Sequence, residues 1–317
     1  MKVLVTGAAG FIGSNLVDHL LDAGHSVIGV DNFSTGQLHF LEEACAGPRF
    51  HLERCDILDQ EKLVSHLKDV ELVFHLAANA DVRFGPEHPT RDLEQNARGT
   101  ATVLEAMRIC RVPAIAFAST GSVYGEATVI PTPEDHPFPI QTSLYGASKL
   151  SAEGQIAAYA EAFGMRAHIF RFVSILGERY THGHVIDFYR QLTEHPEVLK
   201  VLGNGKQRKS YLHVQDCVSA IMTALQLSKD KVNIFNLGTD EYCEVNDSIG
   251  WICSELGCSP KIEYTGGDRG WIGDNPFIFL DCGRIRALGW RPKFSIREAV
   301  IRTVRYLHEN IARVNRV

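Results

Sequence analysis

Residues Lys2–Gly13 read KVLVTGAAGFIG, and this stretch decides the fold. A short apolar run leads directly into three glycines, Gly7, Gly10 and Gly13, and an amphipathic helical pattern follows. The order predicts a buried strand, a tight turn and a helix start, which is typical of the phosphate-binding turn of a dinucleotide fold. In that fold Gly7 allows the turn, Gly10 lets the backbone approach a pyrophosphate, and Gly13 lets the helix lie close to the strand. Glycines at such a junction also occur in turns without a ligand, so the rest of the chain has to distinguish the two.

Composition and charge describe an ordinary globular protein. The chain has 317 residues, of which 45% are hydrophobic and 22% charged, and its formal net charge is −6. This length favours one large α/β unit or two lobes, and the negative charge argues against general nucleic-acid or anionic-membrane binding. No apolar run reaches the ~20 residues that cross a bilayer. The first residues lack a secretory pattern because the apolar run stops at Gly7. We therefore predict a cytoplasmic protein without nucleic-acid or membrane partners.

The cysteines and histidines give no sign of a metal centre. The eight cysteines are scattered without Cys-x-x-Cys or Cys/His ligand spacing, which predicts reduced, partly buried thiols. Among the fourteen histidines, His182 and His184 stand close together, and we expect that pair to decorate a loop. The prediction is therefore that the protein holds no metal.

Strand and helix patterns alternate through the first half of the chain. The predicted strands are Lys2–Thr6, Ser26–Val30, Phe50–Arg54, Leu72–Leu76, Ala114–Ala118 and Arg166–Phe172. The predicted helices are Phe11–Ala23, Gln60–Leu67, Asp92–Ile109 and Leu144–Phe163. Short apolar strands that alternate with helices predict an α/β fold with a Rossmann-like, doubly wound parallel sheet. Right-handed crossovers then place the carboxyl ends of the strands along one edge, where ligands bind.

After about Gly177 the alternation of strand and helix patterns becomes less regular. Helical patterns there are His184–Leu192, Val214–Leu227, Asn246–Leu256 and Ile296–Glu309, with strand candidates Val198–Leu202, Asn233–Leu237 and Lys261–Tyr264 between them. We predict a nucleotide-binding domain over residues 1–177 and a smaller mixed α/β lobe over 178–317 that supplies substrate contacts. No linker separates the halves, so the boundary is expected to be interleaved.

Asp31 comes at the end of the second predicted strand. An acidic side chain there accepts hydrogen bonds from the two hydroxyls of an adenosine ribose and repels a 2′-phosphate, so its register with the glycines favours NAD over NADP. The alternatives are a solvated loop aspartate or a helix cap. Asn32, Ser34 and Gly36 continue a polar turn that would complete the ribose contact. Asp56, at the end of the third strand, is either an acceptor for the adenine amino group or an ordinary turn aspartate.

Tyr145 and Lys149 lie four residues apart and therefore on one face of a helix. A neighbouring ammonium favours the phenolate, so we expect Lys149 to lower the pKa of Tyr145 toward neutral pH. The fifth strand ends at Ser119 and Thr120, which would place a hydroxyl beside the tyrosine. Either part alone is unremarkable, since Tyr-x-x-x-Lys occurs by chance and a polar loop often leaves a strand. The conjunction with the glycines and Asp31 favours a catalytic site.

These motifs together resemble an extended short-chain dehydrogenase/reductase, and most of all the nucleoside-diphosphate-sugar 4-epimerases of the UDP-glucose 4-epimerase family. The residues that carry the resemblance are Thr6–Gly13, Asp31–Asn32, Cys55–Ile57, His75–Ala78, Asn96–Thr100, Ser119–Gly125, Tyr145–Lys149, Arg171–Phe172, Gly203–Gln207 and Tyr211–Asp216. They follow one another in the family's order and span nearly the whole chain.

The resemblance implies a mechanism and a set of NAD contacts. Tyr145, as phenolate, would take the proton of the sugar 4-hydroxyl while Thr120 hydrogen-bonds the same oxygen, and Lys149 would hold the nicotinamide ribose. C4 would be oxidised to a 4-keto sugar and reduced again on the other face, so a tightly bound NAD is not consumed. Further cofactor contacts are expected from Phe11, Ile12, Ile57, Leu76, Ala77, Ala78 and Phe172. Asn96 would either contact the cofactor or pack between helices.

Gly121 and Ser122 separate the epimerases from their relatives. The 4,6-dehydratases resemble Thr-Asp-Glu at this point, because elimination needs acidic partners, and UDP-glucuronate decarboxylases usually have a glutamate at the third position. This chain carries no carboxylate there. Simple oxidation and re-reduction is therefore the favoured reaction.

Substrate contacts are assigned from the same resemblance. A diphosphate needs cations, and the family pattern places them at Lys209, next to Arg208, and at Arg269, although each could be a plain surface charge. Tyr211 follows in the same motif. Ser174 stands where the family usually has asparagine, and Arg83 follows the fourth strand. A hydroxyl at position 174 resembles epimerases that act on UDP-glucuronate, and Arg83 could meet the carboxylate at C6 of the sugar, so we favour a uronate over a neutral hexose. The alternatives are a conservative polar exchange at Ser174 and a surface arginine at Arg83.

The expected partners are a UDP-sugar and a second copy of the chain. The family forms homodimers through the helices that correspond to Asp92–Ile109 and Leu144–Phe163. A dehydrogenase or reductase acting on another nucleotide sugar or small alcohol is the alternative enzyme, and it would turn over NAD(P)H. A non-catalytic dinucleotide-binding protein is the alternative outside enzymes, and the Tyr145/Lys149 pair argues against it.

Overall fold

A computed structural model of the chain describes residues 1–79, 85, 87–137, 139–270, 275 and 277–314. Its strands are β1 (Lys2–Thr6), β2 (Ser26–Asp31), β3 (Phe50–Arg54), β4 (Leu72–His75), β5 (Ala114–Thr120), β6 (Arg166–Phe172), β7 (Ser174–Leu176), β8 (Val198–Val201), β9 (Arg208–Lys209), β10 (Tyr211–His213), β11 (Val232–Leu237), β12 (Cys243–Glu244), β13 (Lys261–Tyr264) and β14 (Phe277–Ile278). Its helices are α1 (Phe11–Asp22), α2 (Glu42–Cys45), α3 (Gln60–His66), α4 (Pro89–Asp92), α5 (Gly99–Cys110), α6 (Leu144–Phe163), α7 (His184–Glu194), α8 (Val214–Leu227), α9 (Val245–Leu256), α10 (Gly283–Ala287) and α11 (Ile296–Asn310).

The central element of the described chain is a seven-stranded sheet with the order β11-β6-β5-β4-β1-β2-β3. Every pairing within it is parallel, with β1 between β2 and β4 in the middle. The chain winds outward from β1 to β3 on one side and from β4 to β11 on the other, which places a topological switch point between β1 and β4. The predicted Rossmann-like, doubly wound fold is therefore confirmed.

Apolar side chains cover both faces of this sheet. Along β1, Val3 and Val5 belong to one buried cluster and Leu4 to another, because successive residues of a strand point to opposite faces. The same alternation in β4 sends Phe74 to the first cluster and Val73 to the second. A sheet buried on both faces explains why its strands are near-continuous apolar runs.

The edge strand β11 comes from the second half of the chain. The sequence assigns Asn233–Leu237 to the smaller lobe, but β11 pairs with β6 over its whole length, with Val232 opposite Ala167 and Leu237 opposite Phe172. This strand follows residue 177 in the chain but belongs to the central sheet, and its five residues alone do not specify which sheet it joins. The central sheet thus draws on both sides of residue 177, and the proposed division at that residue stays a prediction.

The long helices follow the predicted periodicity closely. Helix α6 has its predicted bounds, with the Ser143 hydroxyl capping the amide of Gly146 and Gly164 closing the helix at φ +70°. The predicted helix Asp92–Ile109 begins earlier, at Pro89, and ends at Cys110. It also contains a π-helical segment, Leu93–Arg98, between α4 and α5.

The remaining elements form small sheets beside the carboxyl edge of the central one. These sheets are β7–β10, β12–β9–β14 and β8–β13. Helix α11 starts with a capping box in which Ser295 and Glu298 satisfy each other's backbone amides. Across the described residues, no helix combines the length and apolar character needed to cross a membrane.

Candidate active site at the carboxyl edge of the sheet

A cavity of about 570 Å³ opens at the carboxyl ends of the central strands. Its volume lies within the range of about 300–1,000 Å³ that is usual for small-molecule sites. Most residues singled out from the sequence line it: Gly7, Gly10, Phe11, Ile12, Gly13, Asp31, Asn32, Ser34, Gly36, Ile57, Leu76, Ala77, Ala78, Thr120, Tyr145, Phe172, Ser174, Lys209 and Tyr211. Residues that are far apart in sequence are therefore brought together at one opening.

The glycine turn is shaped by close backbone contacts. Gly7 has φ +69°, and a Cβ added to it would lie 2.8 Å from the amide nitrogen of Ala77. A Cβ on Gly13 would lie 2.0 Å from the carbonyl oxygen of Gly7. Helix α1 begins directly behind this turn, with Gly10 at its N-cap and no acidic residue in its first turn. The N-terminus of a helix that faces a cavity suits an anion such as a pyrophosphate.

Asp31 ties the second strand to that turn. Its Oδ2 accepts a hydrogen bond of 2.9 Å from the Ala9 amide, and its Oδ1 accepts one of 2.8 Å from the Phe33 amide. Burial raises the pKa of this carboxyl, while the two amide hydrogen bonds act against the shift. A Cβ at Gly36 would lie 2.6 Å from Oδ1, so the polar turn packs directly against the carboxylate.

Asp56 supports the same turn without lining the cavity. Its Oδ2 accepts a hydrogen bond of 2.9 Å from the Asn32 amide group, and its Oδ1 accepts one from the Leu58 amide. Within the described chain, its neighbours Cys55 and Ile57 line the cavity and Asp56 itself does not. The structure thus places Asp56 behind Asn32 as an anchoring turn aspartate.

Thr120 and Tyr145 meet across the cavity wall. The Thr120 side chain accepts a hydrogen bond from the Ser122 amide at 3.1 Å, and it also hydrogen-bonds the Tyr145 hydroxyl. Burial raises the pKa of Tyr145 to about 12, and the Thr120 hydrogen bond only partly opposes this. The expectation that Lys149 lowers the Tyr145 pKa is therefore wrong for this structure, because desolvation of the phenol and the negative charge of Asp92 both raise it.

Lys149 lies behind Tyr145 on helix α6. Only 2% of its surface is exposed, and within the described chain the residues that line the cavity do not include it. Its Nζ sits 4.2 Å from the centre of the Phe117 ring. Burial lowers the pKa of Lys149 to about 7, with Glu153 acting in the opposite direction.

Asn96 joins the π-helical segment to the loop after β4. Its Oδ1 accepts a hydrogen bond of 2.8 Å from the Asn79 amide, and its Nδ2 donates to Ser148 Oγ at 2.9 Å. Asn96 is buried and, in the part of the chain that is described, stands outside the cavity lining. Of the two roles considered for it, the structure shows the packing one.

The predicted substrate cations are placed differently from one another. Lys209 lines the cavity and donates a hydrogen bond from Nζ to the Asn275 carbonyl. Arg208 is instead stacked on the ring of Phe277 at 4.0 Å, so its assignment to the cavity is corrected. Adjacent residues of a strand point to opposite sides, which explains why only one of the two can face the cavity. Arg269 forms an ion pair with Glu126 at 2.5 Å, and Arg83 lies outside the described residues.

His182 and His184 line the cavity, which the sequence did not predict. His184 begins helix α7, donates or accepts a hydrogen bond of 2.8 Å with Ser248, and stacks on Tyr211. Burial and the charge of Lys209 lower the His184 pKa to about 3, so the ring is neutral. His182 does lie in a loop, as expected, whereas His184 begins a helix, and no spacing in the sequence predicts that either ring lines the cavity.

His, Cys, Asp and Glu side chains do not cluster as metal ligands in the described residues. These residues contain no group of three or more His, Cys, Asp or Glu side chains arranged to hold an ion. All eight cysteines lie within the described ranges and are free thiols. Burial raises the pKa of Cys55 to about 11, so this thiol, which lines the cavity, stays protonated.

Comparison with known proteins identifies the family. Residues 3–238 match the model of the NAD dependent epimerase/dehydratase family. The chain belongs to this family. A UDP-glucose 4-epimerase of Mycolicibacterium smegmatis is 32% identical over 313 residues, covering 96% of this chain and 98% of that protein.

Two solved structures share the whole architecture. A UDP-glucose 4-epimerase of Thermotoga maritima, solved with UDP-glucose, has a TM-score of 0.88 and 31% identity, and covers 98% of this chain and 100% of its own. A UDP-glucuronic acid 4-epimerase of Bacillus cereus, solved with UDP-glucuronic acid and NAD, has a TM-score of 0.90 and 27% identity, and covers 98% of this chain and 99% of its own.

The cavity of this family member fits NAD. A side chain at position 7 or 13 would fill the cradle at the start of α1, and the Asp31 carboxylate stands at the end of β2, where the adenosine ribose of a dinucleotide binds. Both features are properties of this chain's own backbone and side chains. The residues present therefore match the group that the family uses.

Proposed function

We propose that this protein is an NAD-dependent UDP-sugar 4-epimerase. The observation that carries the proposal is the hydrogen-bonded pair of Thr120 and Tyr145, which faces the same cavity as the glycine turn. The M. smegmatis relative and the two solved epimerases support it because they share the fold over nearly the whole chain.

In the proposed mechanism, Tyr145 transfers the proton, and Thr120 and Lys149 position the reacting groups. Tyr145 takes the proton of the sugar 4-hydroxyl, and Thr120 hydrogen-bonds the same oxygen and holds it in place. When bound, NAD would supply the acceptor for the C4 hydride and would return the hydride to the 4-keto sugar, so that no net redox change occurs. From the family resemblance, Lys149 would hold the nicotinamide ribose once NAD is bound; in the described chain its side chain is buried behind Tyr145, outside the cavity lining.

The cofactor contacts are proposed from the lining of the cavity. The start of helix α1, Phe11–Gly13, would hold the diphosphate of NAD, and Asp31 would accept hydrogen bonds from the ribose hydroxyls. Ile57, Leu76–Ala78 and Phe172 line the rest of the groove. Asp56 and Asn96 contribute indirectly. Asp56 holds Asn32 by a hydrogen bond, and Asn96 holds the loop after β4 by its hydrogen bond with Asn79.

Epimerisation is favoured over elimination by the site beside Thr120. A Cβ at Gly121 would lie 2.9 Å from the Ile278 side chain and 3.3 Å from the Phe172 carbonyl, so a larger side chain there would require Ile278 to move. Ser122, the next residue, lines the cavity with a neutral hydroxyl that accepts from Thr120 at 3.2 Å. Without a carboxylate at this strand end, the 4-keto sugar is only reduced again.

We further propose that the preferred substrate is UDP-glucuronate or UDP-galacturonate. Ser174, the hydroxyl that resembles epimerases acting on UDP-glucuronate, lines the cavity. Lys209 and Tyr211, also in the lining, would bind the nucleotide diphosphate together with Arg269, which would exchange Glu126 for a phosphate. Arg83 would meet the sugar carboxylate.

A homodimer is proposed through the helical face next to the site. Leu93 and Ile109 on the helix from Pro89 to Cys110, and Leu144 and Phe163 on α6, are each at least 44% exposed. Apolar side chains of this size along two long helices favour burial against a second copy of the same face. Sedimentation that gives a monomer at micromolar concentration would refute this proposal.

The function is tested by separate incubation with UDP-glucose, UDP-N-acetylglucosamine and UDP-glucuronate, followed by chromatography of the epimers. We expect conversion of UDP-glucuronate to UDP-galacturonate without net NADH. Accumulation of NADH would indicate a dehydrogenase instead. Tyr145→Phe should abolish turnover, whereas Tyr159→Phe, on the same helix but hydrogen-bonded to Glu105, should not. Full activity of Tyr145→Phe on every sugar would refute the mechanism.

A further inference from the structure

A buried ion pair lies beneath the strand ends that carry the site. Glu153 on α6 and Arg171 on β6 are 5% and 8% exposed. The Arg171 guanidinium donates to the Glu153 carboxylate from Nη2 at 2.6 Å and from Nε at 3.1 Å. This is a bidentate contact, the strongest geometry in which an arginine binds a carboxylate.

The pair contacts the neighbours of three site residues. Ser119, which precedes Thr120, donates its hydroxyl hydrogen to Glu153 Oε1. Arg171 itself precedes Phe172, which lines the cavity. Glu153 follows Lys149 by four residues and so lies on the same face of α6. One carboxylate therefore connects the catalytic helix with the ends of β5 and β6.

The other side of Arg171 is also satisfied. Its Nη1 donates to the Tyr124 hydroxyl at 2.7 Å and to the Glu134 carbonyl at 2.9 Å. The Tyr124 hydroxyl donates in turn to Asn236 at 2.8 Å. Burying two opposite charges brings little net stability compared with apolar side chains of the same volume. Stability alone therefore gives no reason to keep this pair directly behind the site.

We propose that Glu153 is a positioning residue for the Tyr145–Lys149 pair: its carboxylate fixes the Thr120 strand end and supplies a buried negative charge that favours the ammonium form of Lys149. The inference rests on the proposed function, in which Tyr145 and Lys149 serve the proton transfer. Glu153 acts through these residues and through Ser119, while Arg171 orients and balances its charge.

The charges around Lys149 give Glu153 this role. Tyr145 and Glu153 are each four residues from Lys149 on α6 and so lie on the same helix face. The Lys149 ammonium also lies over the Phe117 ring of β5, and its charge adds to burial in lowering the pKa of His75 on β4. His75 is neutral because burial lowers its pKa to about 3. The carboxylate of Asp92 acts on Tyr145. Of these groups, Glu153 is the one that raises the pKa of Lys149 against the effect of burial.

The first test removes the charge and keeps the shape. Glu153→Gln leaves Arg171 as a buried cation, so the double variant Glu153→Gln/Arg171→Gln accompanies it to restore neutrality. The control is Glu105→Gln/Arg108→Gln, which removes an exposed ion pair with the same bidentate geometry on α5. Isotope-labelled lysine follows the Lys149 titration by NMR, with Lys149→Met to assign its signal, and epimerisation is measured against pH.

In both Glu153 variants the pKa of Lys149 should be lower than in the wild type. The pH at which activity is lost on the alkaline side of the profile should fall by the same amount. A fall of one unit from about 7 lowers the protonated fraction of Lys149 at pH 7 about fivefold. The control pair should change neither curve. Folded Glu153 variants with the Lys149 titration of the wild type would overturn the proposal.

A second variant separates positioning from charge and does not depend on the stability of the pair. Ser119→Ala removes the hydrogen bond to the strand end and leaves both charges in place. We expect about tenfold lower kcat, an unchanged KM and an unchanged pH profile. An unchanged kcat would overturn the positioning role. Failure of the proposed function would look different, because an active Tyr145→Phe enzyme would leave the effect of Glu153 on the Lys149 titration intact.

Discussion

The Asp31 carboxylate accepts a 2.9 Å hydrogen bond from the amide of Ala9, the residue between the first two glycines of the opening turn. The acidic end of β2 and the phosphate-binding turn after β1 therefore form one rigid unit. The remaining acceptor capacity of the carboxylate faces the cavity that Asp31 lines. A ribose and a pyrophosphate bound to this unit would be held at a fixed distance from each other.

Asp31→Asn is predicted to weaken both the turn and NAD binding. An amide has one acceptor oxygen, so its NH2 group would point at one of the two backbone amides that the carboxylate now accepts from. We expect a loss of about 1–3 kcal/mol in the free energy of unfolding, and at least tenfold weaker NAD binding by calorimetry. Asp59→Asn is the control, because Asn also serves as the N-cap of α3. NAD affinity equal to that of the wild type would contradict the ribose role.

Gly13→Ala is predicted to disrupt the turn, whereas Gly154→Ala is predicted to be tolerated. The new Cβ at position 13 would overlap the Gly7 carbonyl at 2.0 Å, and backbone atoms cannot move aside cheaply. At Gly154 in α6, no atom lies within 4 Å of the added Cβ. Alanine there should stabilise the helix by about 0.5–1 kcal/mol. Thermal unfolding and NAD titration of both variants check the pair, and equal behaviour of the two would contradict the tight helix–strand approach.

The sequence predicts elements well where local signals agree. β1, β3, β6 and α6 have their predicted bounds, because apolar period, caps and flanking glycines all mark the same residues. The carboxyl edge follows from the order of parallel strands, and this is why most predicted site residues line one cavity.

The remaining features depend on contacts that a local pattern does not contain. Arg208 faces away from the cavity because its neighbour Lys209 faces toward it on the same strand. The Tyr145 pKa is set by how much solvent the fold removes, which no spacing encodes. The same holds for His184, which burial and Lys209 keep neutral. The sequence motifs identified Arg208 and Tyr145 but not His184, and the surroundings of each side chain determine what it can do.

Lys149→Met is predicted to stabilise the fold near neutral pH while removing activity. Burial lowers the pKa of Lys149 from 10.5 to about 7, so between these values the unfolded chain binds more protons than the folded one. The free energy of unfolding therefore gains a contribution as pH rises from about 7 toward 10.5, and the full cost is present below that range. The variant should unfold at higher denaturant at pH 7 and should show a flatter rise above it. A variant less stable than the wild type at every pH would contradict a desolvated ammonium.

His75→Gln is predicted to protect the fold against acid. The His75 ring is fully buried between the hydroxyls of Thr6 at 2.8 Å and Thr100 at 3.0 Å. Burial lowers its pKa from 6.5 to about 3, so the unfolded chain takes up a proton first as pH falls. The stability that depends on a neutral His75 is complete above about pH 6.5 and is lost progressively toward pH 3. Denaturant unfolding at several pH values should show a shallower acid slope in His75→Gln, whereas the exposed His195→Gln should keep the slope of the wild type. If both variants keep that slope, the acid sensitivity does not come from His75.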